Sequence, residues 1–108
     1  MVAENRQSVR KVLKTKAQLI LNSENFIQAR TVDIGLDGIG LVLPSPVIPG
    51  QEGRVIISMY FDGKAHLVDS AVKVTYCVFS SGEFRVGFQF ASLAPAGGAS
   101  ISAFLRLG

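Results

Sequence analysis

With 108 residues, 48% of them hydrophobic and 18% charged, the chain is sized for one domain with a core of its own. That composition excludes a disordered chain, and the single Cys77 excludes an internal disulfide framework. No apolar run approaches the roughly 18 residues of a membrane-spanning helix. The opening MVAENRQSVRKVLKTK is too polar for a signal peptide, so a soluble protein of a reducing cytoplasm is expected. The net charge of +3 is unevenly spread. Residues 1–16 hold Arg6, Arg10, Lys11, Lys14 and Lys16 against Glu4, while six cations meet seven acids in residues 17–108. The excess basicity therefore sits on an N-terminal arm, read here as residues 1–15, which either is simply solvated or meets an anionic partner.

Strand signals dominate the rest. Ala17–Leu21 is short and mixed, and Asn22–Asn25 is a turn cluster. Phe26–Ile34 alternates, with Ile27, Ala29 and Thr31 on one face. GLDG follows as a turn whose glycines permit positive φ, and Ile39–Leu43 completes a hairpin. Pro44, Pro46, Pro49 and Gly50 exclude a central strand. Arg54–Phe61 resumes period two, with Val55, Ile57, Met59 and Phe61 together. Asp62-Gly63 is a two-residue hairpin signal. Lys64–Phe79 is the longest strand expected, with Val72, Val74, Tyr76 and Val78 on one face. After the turn Ser80-Ser81-Gly82, Glu83–Phe90 places Phe84, Val86, Phe88 and Phe90 inside and Arg85, Gly87 and Gln89 outside. Pro95 suits a helix start, and Ile101, Phe104 and Leu105 make one apolar stripe. Six antiparallel strands and a C-terminal helix predict an all-β fold, a six-stranded antiparallel β-barrel over residues 16–108.

The catalytic inventory is poor. His66 is the only histidine and Cys77 the only thiol, so no nucleophile–base pair can be drawn up. Paired Cys/His spacing and a dense carboxylate loop are both missing, so no metal site and no enzymatic activity are expected. Gly35, Gly38 and Gly40 read GxxGxG between two strands, which is not the dinucleotide fingerprint.

Two features carry chemistry. Arg6 and Arg10 set two guanidiniums four residues apart, a spacing that suits a compact phosphate-bearing ligand and guanine edges. In Asp33-Ile34-Gly35-Leu36-Asp37-Gly38, a carboxylate at a hairpin can accept hydrogen bonds from a guanine base, and glycine admits close approach. Taken singly, each has an ordinary counterpart in a basic tail or a Gly-rich hairpin.

Together and in this order, RxxxR at Arg6 and Arg10 and DxGxxG from Asp33 to Gly38 resemble the PilZ family, small bacterial barrels that bind cyclic di-GMP. FRVGFQF resembles the family's last strand. The resemblance implies a split-barrel fold and a cytoplasmic second-messenger receptor rather than an enzyme, with motility or biofilm as output. It implies no cofactor besides the ligand, which binds as one molecule or a stacked dimer. Arg6 and Arg10 would grip phosphates and guanine edges, Asp33 would read a Watson–Crick edge, and Gly38 would admit the ligand to the backbone. Gly87 would floor the pocket, Lys11 would add long-range attraction, and Arg85 is a weaker candidate. Gly35 stands where the family usually has Ser. Losing one hydrogen bond to a charged group is worth about 1.5–3 kcal/mol, a ten- to hundredfold loss of affinity, for which a backbone N–H at Gly35 is the available substitute. The arm is expected to be mobile without ligand and to fold over the turn with it, presenting a new surface to a downstream protein. The alternative is a degenerate interaction module that binds no nucleotide. A nucleic-acid-binding barrel is the other reading of the basic arm, but few exposed aromatics are expected, and DNA and membrane insertion are not.

Overall fold

Alternating apolar residues, broken by turn chemistry, produce the strands of the computed structural model, which describes residues 9–21 and 25–107. Among these residues there are seven strands and one helix. In chain order they are β1 (Arg10–Val12), β2 (Lys16–Leu21), β3 (Asn25–Gly35), β4 (Gly38–Leu43), β5 (Glu52–Phe61), β6 (Lys64–Ser80), β7 (Glu83–Ser92) and α1 (Pro95–Leu107). All pairings are antiparallel, in the order β1-β3-β2-β5-β6-β7-β4, and β3 also pairs with β4. That last pairing closes β2–β7 into the expected six-stranded barrel, leaving β1 as an added strand. Closure removes the open edges that so apolar a sheet would otherwise expose.

Both hairpin signals act as expected. Asp62 and Gly63 have φ of 55° and 72°, and Ser81 and Gly82 have 52° and 82°. Positive φ at both central residues matches the right-handed twist of the flanking strands. Phe61 pairs with Lys64 and Ser80 with Glu83 across these turns.

Inside the barrel lie Leu19, Leu41, Leu43, Val55, Ile57, Met59, Val72 and Val86, all nearly inaccessible. The helix closes one end. Gly98 N–H donates to the Ala94 carbonyl, so Pro95 occupies the first helical position, where its missing N–H costs nothing. Gly97, Ile101 and Phe104 are the buried face of α1.

Three register shifts depart from simple alternation, one of them between Ala71 and Val72 where β6 meets the end of β7, and the other two near the groove. Of the latter two, one lies between Thr31 and Asp33 in β3. Ala29 and Thr31 are buried as expected, but beyond the bulge Ile34 points inward instead of Asp33. Next to it, β1 and β2 share the other edge of β3 and leave a gap between them. Thr31 fills that gap, its hydroxyl donating to the Leu13 carbonyl at 2.5 Å and accepting from Thr15 N–H at 2.8 Å.

The second shift lies between Val74 and Tyr76 in β6. Val68, Val72 and Val74 face inward, but beyond the bulge Cys77 packs on the core while Tyr76 and Val78 turn out, 51% and 52% exposed. This corrects the expectation that Tyr76 and Val78 share a face with Val72. A bulged residue is left unpaired and reverses the parity of every residue after it.

A charged groove at the helix end of the barrel

The β3–β4 hairpin places Asp33 on the last part of β3 and Asp37 in the turn. Across it lies β1, with Arg10 opposite Gly35 and Val12 opposite Asp33. Arg10 Nη2 donates to Asp33 Oδ1 at 2.9 Å, and Nη1 donates to Asp37 Oδ1 at 3.1 Å. One guanidinium therefore spans two carboxylates, all three side chains remaining a third or more exposed. Burial disfavours the Arg10 cation, but the hydrogen bonds and charges of Asp33 and then Asp37 outweigh it and raise its pKa above the ordinary value.

Glycines make this arrangement fit. A Cβ at Gly35 would lie 2.7 Å from the Val9 carbonyl and 3.0 Å from Arg10 Cδ, so only glycine lets β1 lie this close. A Cβ at Gly40, the register partner of Asp33, would lie 2.7 Å from Asp33 Oδ1. Gly38 pairs with Gln89, and a Cβ there would overlap the Phe88 carbonyl. The turn is fastened to β7 as well, Phe90 N–H donating to the Asp37 carbonyl at 3.0 Å. Neither Gly35 nor Gly38 has a positive φ. Space, not backbone freedom, is what the GLDG segment requires.

Arg10, Asp33 and Asp37 stand at the mouth of a groove of about 1260 Å³. Its walls come from the hairpin, from Thr75 and Tyr76 of β6, from Gly87, Phe88 and Gln89 of β7, and from Ser102, Leu105 and Arg106 of α1. Gly87 lies beneath the Tyr76 ring, which occupies the space a Cβ would take. The structure thus brings Arg10, Asp33 and Gly87 to one groove, while Gly35 and Gly38 shape its rim without lining it.

Lys11 is placed elsewhere. It alternates with Arg10 on β1 and turns to the C-terminus of α1, where Nζ donates to the carbonyls of Phe104 and Leu105, both at 3.4 Å. It also lies 5.6 Å from the Phe104 ring centroid. A cation there satisfies carbonyls that have no partner within the helix. Arg85 is exposed on β7 and does not line the groove. Arg6 lies outside the described residues.

Tyr76 and Arg106 escaped the sequence reasoning. A period-two reading sends Tyr76 inward, and only the bulge turns it out. Arg106 carried the signal of a cation in a last helical turn, but nothing in sequence ties that turn to the hairpin.

His66 packs against Phe61, ring centroids 4.0 Å apart, and its Nε2 is buried without a hydrogen-bond partner among the described residues. The described residues hold no group of three or more metal-ligating side chains. None of their helices is long and apolar enough to cross a membrane.

A closed barrel with a helix across one end and a cation set between two acids beside a groove is a definite class of small domain. The model of the PilZ domain matches residues 4–107, and the chain belongs to the PilZ domain family. No curated protein matches it in sequence. Among solved structures it is similar to the Bacillus subtilis inhibitor of motility MotI/DgrA, with TM-score 0.86, 18% identity, and coverage of 96% of this chain and 51% of that one. It is also similar to Escherichia coli YcgR in complex with c-di-GMP, with TM-score 0.76 and 15% identity over 95% of this chain and 45% of that one. For the isolated YcgR PilZ domain with c-di-GMP the TM-score is 0.75 at 15% identity, covering 95% and 90% of the two chains. The chain therefore spans about half the length of MotI and of full YcgR.

Proposed function

We propose that this domain is a cyclic di-GMP receptor that changes conformation on binding and so regulates a protein partner. The observation that carries the reading is the Arg10 guanidinium held between Asp33 and Asp37 at the mouth of the groove. Membership of the PilZ family and likeness to domains solved with c-di-GMP support it.

The chemistry is an exchange of partners. Exposed ion pairs are worth about 0–1 kcal/mol each, whereas a hydrogen bond to a charged group contributes about 1.5–3 kcal/mol. A phosphate entering the groove draws Arg10 from the carboxylates, and Asp33 is then available to the N1–H and N2–H₂ of a guanine. Arg6 would grip the second phosphate or a guanine edge. The change of Arg10 partner, transmitted through β1, is the proposed switch. The groove is larger than the roughly 300–1,000 Å³ typical of pockets for drug-sized ligands, which supports room for a stacked pair. The likeness to an inhibitor of motility makes a component of the motility apparatus the favoured class of partner. In this reading the domain is a cytoplasmic binding module, not an enzyme.

Calorimetric titration of cyclic di-GMP into the wild-type chain and Arg10→Ala tests the reading. Binding at micromolar ligand is expected, with at least about a tenfold loss on removing Arg10. Absence of heat with wild type at tens of micromolar and low salt refutes it. A wild type silent under those conditions is read instead as an interaction module without nucleotide.

A further inference from the structure

Part of the groove lining belongs to no sequence motif, yet it carries a cation and an aromatic ring. Arg10, Arg30 and Arg54 each form an ion pair with a carboxylate. Arg106, exposed in the last turn of α1, has neither a hydrogen bond nor an ion pair among the described residues, and it lines the groove. Its charge matters because Arg10, Asp33 and Asp37 together sum to −1, which repels an anion. Arg106 brings the described groove lining to neutrality. A helix C-terminus by itself disfavours an anion. Here the Lys11 ammonium lies on the carbonyls of Phe104 and Leu105, offsetting that end of the helix dipole beside Arg106. Also lining the groove, Tyr76 rests on Gly87 and stays half exposed, a planar surface on which a purine can stack.

Resting on the receptor reading above, we propose that α1 and β6 form a second half of the ligand site, in which Arg106 takes a phosphate of cyclic di-GMP and Tyr76 stacks on a guanine. Lys11 is a positioning residue for this half. The C-terminal helix thereby feels the ligand directly, in addition to any movement of β1.

The test is calorimetry of the full chain with cyclic di-GMP at two salt concentrations, comparing Arg106→Gln, Arg106→Lys, Tyr76→Leu and Tyr76→Phe with the groove-distant control Arg85→Gln. Arg106→Gln is expected to weaken binding about five- to thirtyfold and to reduce its salt dependence. Arg106→Lys, which keeps the charge but not the fork, recovers part of that loss. Tyr76→Leu weakens binding by about fivefold or more, while Tyr76→Phe, which retains the ring and the packing on Gly87, stays within about twofold. If wild type binds, Arg10→Ala weakens binding at least about tenfold, and Arg106→Gln and Tyr76→Leu both match Arg85→Gln, the second half of the site is disproved and the receptor reading stands. A silent wild type overturns both.

Discussion

Two arginine–aspartate contacts on this barrel look alike and are built for different ends. On the outer surface of β5 and β6, Arg54 Nε and Nη2 donate to the two oxygens of Asp69 at 2.7 and 2.6 Å. That fork meets both oxygens of one carboxylate. The hydrogen bond from Arg54 lowers the Asp69 pKa and outweighs the opposing effect of burial, with the Arg54 charge adding a lesser lowering. At the groove, Arg10 divides its fork between two carboxylates, with longer contacts of 2.9 and 3.1 Å. The second oxygen of Asp33 accepts nothing from the described residues. A satisfied pair on a smooth surface has no further chemistry to offer. A divided pair beside a groove leaves a guanidinium and a carboxylate oxygen able to exchange partners, as the proposed receptor requires.

Breaking the two contacts sharpens the contrast. Arg10→Ala is expected to give the largest effect, at least about a tenfold loss of cyclic di-GMP affinity by calorimetry, with a melting temperature close to wild type. Unchanged affinity would place the ligand elsewhere. Gly35→Ser comes next. Its new side chain meets the Val9 carbonyl, so β1 is expected to lift from β3, an overpacking worth about 1–3 kcal/mol felt locally. Hydrogen exchange should quicken at residues 10–12 while the closed barrel keeps its protection, and retained protection in β1 would contradict the steric account.

Gly40→Ala is a finer probe, because its methyl meets Asp33 Oδ1 rather than backbone. Displacing that carboxylate from one hydrogen bond, worth about 1 kcal/mol, is expected to lower affinity about fivefold without loosening β1. Smallest is Arg54→Ala, which should leave affinity untouched and change melting no more than an exposed ion pair usually does. The pH profile gives the sign. Asp69 has a lowered pKa in the folded chain, so its small stabilisation is full above the ordinary carboxyl value of 3.8 and is lost as the pH falls through the lowered one. Melting curves of wild type and Arg54→Ala should therefore converge in acid.

Much of this was legible locally. Period two marked the inward residues of β4, β5 and β7, and the Asp62-Gly63 and Ser81-Gly82 turns follow from backbone sterics at two residues each. Arg10 and Asp33 could be singled out because the ligand that the family resemblance implies would call for a guanidinium fork and a carboxylate. The bulges were not legible. Val32 and Thr75 look like ordinary members of alternating strands, and their consequences depend on strands paired from distant sequence.

By itself, then, the sequence determined the six barrel strands, their turns, the helix start and the charged ends of the hairpin, but not β1, because hydrophobic period and turn sterics act over a few residues. Only the tertiary structure decided that β1 is added to β3 beside the closed barrel, that Lys11 turns from the groove to the helix end, and that Tyr76 and Arg106 line the same groove as Asp33. Those placements arise from a strand inserted at a shared edge, a parity reversed by one unpaired residue, and a helix laid across an open barrel end. All three are set by packing between segments far apart in the chain.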